Sequence, residues 1–403
     1  MAMLACKFRL YPSRAIEEKL ESALNGCRII YNEILGQMND AREHGTRLTE
    51  KETQDIAKHV RKSGPAFRNV HSKVAQMVSR RMWASIRALA ALKRKRHRVG
   101  RLRFKPRDRF TSIEYNQSGF EIRPGELWLS KIGTVKCVTH RELPGVAKGV
   151  VIKKAADGKW WAAVQCNVPK REARAILDPR EVGIDVGVSV FAVDSDGNTT
   201  ANPKFMDKAM PAMCKAQKTL SRRKRGSNRY HKARVKLAKL YGDIVNKRHD
   251  FLQNLSMWYV ATYDVICVER LNISGLARKG RCKTLHRNIM DATWGEFIHM
   301  LMYKASSAGT RVVLVDPRCT SQDCSGCGTR VHKQLWERVH SCPACGITLD
   351  RDLNAALNII ARGTGRAPTS AEGRPLPDVT VHYTGADGQA VPMKREAPPF
   401  MTG

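Results

Sequence analysis

Four cysteines in two pairs, Cys324-Ser-Gly-Cys327 and Cys342-Pro-Ala-Cys345, stand just upstream of the acidic stretch Asp350-Arg-Asp352. Fourteen residues separate the pairs, a spacing at which four thiolates form a tetrahedral Zn2+ site. Gly328 and Gly346 follow the pairs and permit the positive φ that a zinc knuckle needs. His332 and His340 lie between the pairs, but a complete thiolate set leaves them no vacancy. The other eight cysteines, at 6, 27, 137, 166, 214, 267, 282 and 319, are scattered singly and read as free thiols of a reducing cytosol.

Three carboxylates carry the second chemistry. Asp185 lies mid-strand in Gly183-Ile-Asp-Val-Gly187, and the flanking glycines let another backbone or a ligand come close. Glu269 ends the apolar run Val265–Val268, at the strand end where open α/β sheets place their sites. Asp352 opens a helix whose apolar face reads as Leu353, Ala356, Leu357 and Ile360. Each has a bland explanation when taken alone: a solvent-facing strand residue, a loop-facing glutamate, a helix N-cap. Of the two aspartates at the last position, capping is assigned to Asp350 and catalysis to Asp352. Together in one cleft the three would repel one another unless divalent cations bridged them. Hard oxygen ligands with open positions select Mg2+ or Mn2+. Two such ions about 3.5–4 Å apart stabilise the attacking and leaving oxygens of phosphodiester hydrolysis. A basic protein with this cluster reads as a nuclease.

These residues need elements to hold them. Residues 3–11 read as a strand and 13–99 as largely helical, with Leu20, Leu24, Cys27, Tyr31 and Leu35 on one face and a second long helix over Val70–Leu92. Residues 102–169 alternate in short runs broken by Gly and Pro, a β pattern. One strand, a helical insertion and more strands suggest a small barrel carrying a helical domain. From Val182 the pattern is mixed α/β: a strand pair over Val182–Val193 with the turn Asp194–Asn198, helix over 206–261, a strand over Asp264–Glu269, helix over 291–308 and a strand over Arg311–Val315. The expected division is a barrel at 1–12 and 100–175, a helical domain at 13–99, a nuclease domain at 176–316 and 348–362, a zinc ribbon at 317–347 and a disordered tail at 363–403.

The chain of 403 residues is 42% hydrophobic, ordinary for a globular protein, but 71 Lys and Arg against 37 Asp and Glu leave it at +34. Such a charge repels itself unless a polyanion neutralises it, so nucleic acid is the expected partner. No lipidation motif, signal peptide or long apolar run is read, so a membrane partner is not expected. Ten Lys or Arg and one acid, Asp108, lie between Lys93 and Arg109, where Arg103 and Lys105 are candidate phosphate contacts. No acid occurs between Lys208 and Gly242, where Arg222, Arg223, Lys224, Arg225, Arg229 and Lys232 are further candidates. Phe104 and Tyr230 are candidates to stack on bases.

The chain resembles the TnpB family, transposon-encoded RNA-guided DNA endonucleases related to compact type V CRISPR effectors. The likeness rests on Lys7-Phe-Arg-Leu-Tyr-Pro12, Arg103-Phe-Lys-Pro, Gly119-Phe-Glu-Ile, Gly183-Ile-Asp-Val-Gly, Val268-Glu-Arg-Leu-Asn, Thr320-Ser-Gln with the first cysteine pair, and Asp350-Arg-Asp-Leu-Asn-Ala-Ala-Leu-Asn-Ile, over about residues 3–362. Arg270 and Gln253-Asn254 depart from the family pattern without touching the carboxylates. The resemblance implies an α/β RuvC-like nuclease domain of RNase H fold with catalytic Asp185, Glu269 and Asp352. It also implies an inserted zinc ribbon and an N-terminal wedge-like β-barrel with a helical recognition domain. The implied partners are a guide RNA, one protein to each, and a double-stranded DNA target beside a short adjacent motif. The implied location is the cytoplasm of a bacterium or archaeon, at the nucleoid. A nuclease-inactive RNA-guided repressor and a compact type V CRISPR effector are the alternatives, and a transposase acting without RNA is a third.

Overall fold

The computed structural model describes residues 2–168, 176–273, 275–276, 283–334, 336–365 and 380–381. It divides into two compact units, Met1–Pro169 and Lys170–Gly403.

In the first unit, β1 (Ala2–Tyr11) turns Cys6, Phe8 and Leu10 inward while Lys7 and Arg9 stack outside on the Trp161 ring. Pro12 stops the strand, and Ser13 caps α1 (Arg14–Glu43) by accepting from the Ile16 amide. The expected face of α1 is the buried one, with Leu20, Leu24, Cys27, Tyr31 and Leu35 all in the core. The helices α2 (Glu50–Lys62), opened by a Thr49–Glu52 capping box, and α3 (Ser72–Arg94) complete the helical segment. Six strands follow: β2 (Ser112–Asn116), β3 (Phe120–Arg123), β4 (Glu126–Leu129), β5 (Gly133–Val138), β6 (Val146–Lys154) and β7 (Trp160–Val168). With β1 they form an antiparallel sheet in the order β2-β6-β7-β1-β5-β4-β3, all but closed into a barrel. Chain order and sheet order differ because β1 inserts between β7 and β5, so a strand lying before the helices completes a sheet made after them.

The second unit is mixed α/β. Its strands are β8 (Glu181–Val186), β9 (Val190–Asp194), β10 (Thr199–Ala201), β11 (Val265–Glu269) and β12 (Arg311–Val315), ordered β12-β11-β8-β9-β10. The first three are an antiparallel meander, while β11 runs parallel to both β8 and β12. Asp194–Asn198 is the expected turn: the Asp194 carboxylate accepts from the amides of Asp196 and Asn198, and Gly197 has φ +87°. Helix α4 (Phe205–Ser221) and α5 (Asn228–Thr262) replace the single helical run expected over 206–261. The break between them holds Arg222–Gly226, where Gly226 takes φ +84° and adjacent cations disfavour a continued helix. The helix expected over 291–308 is α7 (Trp294–Ala308); a further helix not expected from the sequence, α6 (Lys283–Ala292), precedes it and is parted from it where Thr293 adopts φ +51°.

Beyond β12 come the short strands β13 (Val339–Ser341) and β14 (Thr348–Asp350), which pair antiparallel, and helix α8 (Arg351–Thr364). The helix overruns the expected start of the tail at 363 and ends on Gly365 at φ +73°. The rest of the expected tail lies outside the described residues, except Thr380–Val381, which pair in parallel with β10. The scattered cysteines are free thiols, Cys282 lying outside the described residues. Among the described residues no helix is long and apolar enough to cross a membrane.

Candidate active site and metal centre

The register Ile184↔Val268 between parallel β8 and β11 makes Asp185 and Glu269 lateral neighbours on adjacent strands. Helix α8 crosses this pair of strands and brings the third carboxylate. Two glycines allow the approach. At Gly183 a Cβ would meet the Ala356 carbonyl oxygen at 2.2 Å and the Ile360 amide at 2.6 Å; at Gly363 it would meet the Cys267 sulfur at 2.2 Å. The glycine before Asp185 therefore admits a backbone, that of the helix carrying Asp352.

At the head of α8 the two aspartates divide their work. Asp350 Oδ1 accepts from the amides of Asp352 (2.8 Å) and Leu353 (3.2 Å) and is the N-cap. The Asp352 carboxylate is left for other partners. Its Oδ1 accepts from Arg351 Nε and Nη2, both at 3.2 Å, and its Oδ2 from Arg338 Nη1 at 3.3 Å. Arg338 also donates to Ser189 Oγ at 2.9 Å, and Arg351 to the Glu337 carbonyl at 3.2 Å.

The electrostatics are those of a cluster short of positive charge. Burial pushes the Asp185 carboxyl well above its ordinary range, and the negative charges of Glu269 and Asp352 push it further, against relief from Arg351. Burial also raises Glu269, partly opposed by the hydroxyl of Thr320, which donates to Glu269 Oε1 at 2.5 Å. Burial and mutual repulsion both disfavour the charged carboxylates, and a set with oxygen donors only fits a hard divalent cation that would offset that penalty.

The four cysteines converge more tightly. Sγ of Cys324 lies 3.6 Å from that of Cys345 and Sγ of Cys327 lies 3.5 Å from that of Cys342, all four within 4.8 Å. Metal–sulfur arms of ~2.3 Å in a tetrahedron put sulfurs about 3.8 Å apart, so the set fits one ion. Among the described residues this is the only group of three or more such ligands drawn that close; the three carboxylates are not. The two knuckles are built alike. The Gly328 amide donates to the Cys324 carbonyl at 2.8 Å and the Gly346 amide to that of Cys342 at 2.9 Å, with φ of +75° and +74°. His340, between the two pairs in the sequence, is buried, and neither ring nitrogen has a partner among the described residues.

The expected apolar face of α8 needs correction. The helix buries Asn354, Ala355, Ala356, Asn358 and Ile359, and leaves Leu353, Leu357 and Ile360 half-buried. Two asparagines go inward because loop carbonyls and an amide meet their side chains: Asn354 takes the Ser325 amide at 2.9 Å and donates to the Asp323 carbonyl at 2.9 Å, and Asn358 donates to the Thr320 carbonyl at 2.9 Å. Hydropathy alone could not rank them above leucine. The sequence gives no site role to Arg338, Ser189 or Thr320, nor to Asn354 and Asn358 as inward-facing residues. The one signal for the asparagines was a polar i, i+4 pair interrupting the helix's apolar residues.

The candidate nucleic-acid contacts are placed unevenly. Arg222, Arg223, Lys224, Arg225, Arg229 and Lys232 are all exposed in the break between α4 and α5 and in the start of α5. Arg103 and Phe104 are exposed in the first unit. Lys105 is docked instead: its amide donates to Asn32 Oδ1 at 2.8 Å and its ammonium lies 4.4 Å from the Tyr31 ring centre. Tyr230 is half-buried.

Several known proteins are similar to this chain. A family model described as "Probable transposase" matches residues 164–280, one described as "Cas12f1-like, TNB domain" matches 294–359, and one described as "Helix-turn-helix domain" matches 1–47. A Streptomyces pristinaespiralis protein named "Putative RNA-guided DNA endonuclease" is 31% identical over 375 residues, covering 89% of each chain. The chain belongs to the TnpB family. A second relative of this TnpB chain, "Putative RNA-guided DNA endonuclease InsQ" of Escherichia coli K12, is 27% identical over 375 residues, covering 89% of this chain and 92% of its own. The TnpB fold extends to a Cas12f1 chain solved with sgRNA and target DNA, at TM-score 0.53 and 14% identity, covering 86% of this chain and 83% of that one.

Proposed function

We propose that this TnpB chain is an RNA-guided DNA endonuclease that cuts double-stranded DNA beside a short adjacent motif. The observation that supports the reading is the strand register that sets Asp185 beside Glu269 on parallel β8 and β11, with α8, headed by Asp352, packed across them. The sheet order β12-β11-β8-β9-β10 suits an RNase H-like domain of RuvC type. Mg2+ or Mn2+ held by the three carboxylates would polarise the phosphodiester and lower the pKa of an attacking water. The protein's own share would be positional: β8 and β11 would hold two ligands side by side and α8 the third, with Arg338 and Arg351 balancing the charge of Asp352. Zn2+ in the four thiolates would close the segment 324–345 into a ribbon, where binding energy is folding energy.

Guide pairing would supply sequence specificity, while the protein follows phosphates and shape. The exposed basic turn at 222–225 and the start of α5 are the surfaces suited to phosphate. The first unit, a near-closed barrel with three helices, would read the adjacent motif and hold the RNA, one protein to each guide, in the cytoplasm of its cell. The nuclease-inactive alternative is not favoured, since all three carboxylates are present. The test is cleavage by the guide complex: Asp185→Ala, Glu269→Ala and Asp352→Ala should each abolish cutting of both strands, non-additively, while guided DNA binding survives. Three variants that still cut would sink the reading.

A further inference from the structure

The loop of Thr320-Ser-Gln ahead of the first cysteine pair is held by a dense set of hydrogen bonds from α8. Three residues of α8 spaced four apart, Asn354, Asn358 and Arg362, form one stripe against this loop. Asn354 donates to the Asp323 carbonyl at 2.9 Å, and Asn358 donates to the carbonyls of Thr320 (2.9 Å) and Asp323 (2.6 Å). Arg362 donates to the carbonyls of Asp316 (3.1 Å) and Arg318 (2.6 Å) and to the Asp323 carboxylate (2.7 Å). The backbone bends to suit: Cys319 sits at φ +58°, a conformation non-glycine residues adopt at a cost, and its carbonyl accepts from the amides of Gln322 and Asp323. What the bend delivers is the Thr320 hydroxyl. It is buried, 2.5 Å from Glu269 Oε1 and 3.3 Å from the Pro317 carbonyl. A hydroxyl has one proton, and the carboxylate is the nearer acceptor and the stronger.

We propose that Thr320 is a positioning residue of the nuclease centre: its hydroxyl holds the Glu269 carboxylate in the orientation that takes a divalent cation, and the α8 stripe holds Thr320 in place. The inference rests on the reading of Glu269 as a cation ligand. One helix then serves the site twice, through Asp352 at its head and, by way of Thr320, through Glu269 on a strand it crosses. Disturbing the loop should weaken cation binding before it weakens DNA binding.

The test compares Thr320→Val, Thr320→Ser and Glu269→Ala as full-length guide complexes. Two readouts are taken: the Mg2+ midpoint of cleavage, and Mn2+ bound in excess of the Glu269→Ala complex, read from loss of the free-ion paramagnetic resonance signal. Loss of an outer partner of a metal ligand typically costs about 10–100-fold in affinity, so Thr320→Val should raise the Mg2+ midpoint by at least about tenfold and weaken the excess Mn2+ binding in step. The KM for target DNA should stay unchanged, and saturating Mg2+ should recover most of kcat. Thr320→Ser keeps the proton and should behave as wild type. A wild-type midpoint in Thr320→Val, or an equal shift in Thr320→Ser, overturns the proposal. Should Thr320→Val fail to fold, Thr320→Ala takes its place, with the same shift supporting and the same absence overturning. The Glu269→Ala complex separates the two failures. If it cuts, the nuclease reading falls; if it is dead while Thr320→Val matches wild type, only the role of Thr320 falls.

Discussion

Gly183→Ala adds one methyl group where the structure leaves no room for it. Its Cβ would lie 2.2 Å from the Ala356 carbonyl oxygen and 2.6 Å from the Ile360 amide. Both are backbone atoms of α8, so no side-chain rotation relieves the overlap. Restoring ordinary contact requires helix and strand to part by about 1 Å, because close-packed interiors have no slack to absorb it. Overpacking of this kind costs about 1–3 kcal/mol. For a unit of this size each kcal/mol lowers Tm by about 2–4 °C. The larger effect should be on chemistry. Asp352 rides on α8 and Asp185 lies two residues beyond Gly183, so the same displacement opens the carboxylate cluster. A misplacement of ~1 Å can cost about 100-fold in rate. The assay is single-turnover cleavage of a matched target by the guide complex at saturating Mg2+, beside a thermal melt. Gly363→Ala is the contrast, since its clash is with the Cys267 side chain; adding Cys267→Ala should recover much of the loss. A Gly183→Ala complex that melts early but cuts at the wild-type rate would refute the link between this packing contact and the site.

Asp350→Ala removes an N-cap and should cost about 0.5–2 kcal/mol while leaving measurable cutting; lost cleavage there with activity kept in Asp352→Ala would reverse the assignment of the third ligand. Cys324→Ser should release one metal ion per chain, read by elemental analysis of the folded protein, and metal-free wild type of full stability would contradict it. Asp185 and Glu269 are raised in the folded state, so unfolding lowers their proton affinity; the stability they confer is complete below the ordinary carboxylate range and is lost as pH rises through it toward their folded values. In EDTA the melting temperature of Asp185→Asn relative to wild type should therefore climb from acid to neutral pH, and Mg2+ should shrink the gap; a flat difference would show the cluster to be unstrained. Reversing Arg222, Arg223, Lys224 and Arg225 to Glu should weaken RNA binding and flatten its salt dependence, as fewer counterions are released. Filter binding across a salt series that gives the wild-type slope would remove this turn from the interface.

The residues that could do chemistry were legible in the sequence because their signals are local. A cysteine pair followed by glycine is a knuckle wherever it stands, and φ near +75° at Gly328 and Gly346 is what its closing hydrogen bond requires. The inward face of α1 was legible because five apolar residues repeat at helical spacing with no polar competitor among them. The break at Arg222–Gly226 was passed over because Lys and Arg are good helix formers, although Gly226 at φ +84° and charge repulsion end α4 there; helix α6 was missed altogether, its end set by Thr293 in the left-handed region. The inward face of α8 was misread for a related reason. Leucine outranks asparagine on any hydropathy scale, and the partners that reverse the ranking lie about thirty residues earlier, in the loop of Thr320 and Asp323.

That misreading bears on how the two metal chemistries are joined. An asparagine buried against carbonyls is costly to leave unpaired, so Asn354 and Asn358 tie α8 to the loop in one register and not in neighbouring ones. The first knuckle shares the tie through the Ser325 amide, and Glu269 shares it through Thr320. Glycines at 183 and 363 fix the same helix against the sheet from the other side. A metal ion in the thiolates would therefore brace the loop that orients Glu269, as well as the strand pair that leads into Asp350 and Asp352. The closeness of cysteines and aspartates along the chain has a mechanical reason: one short helix takes its position from the first group and confers it on the second.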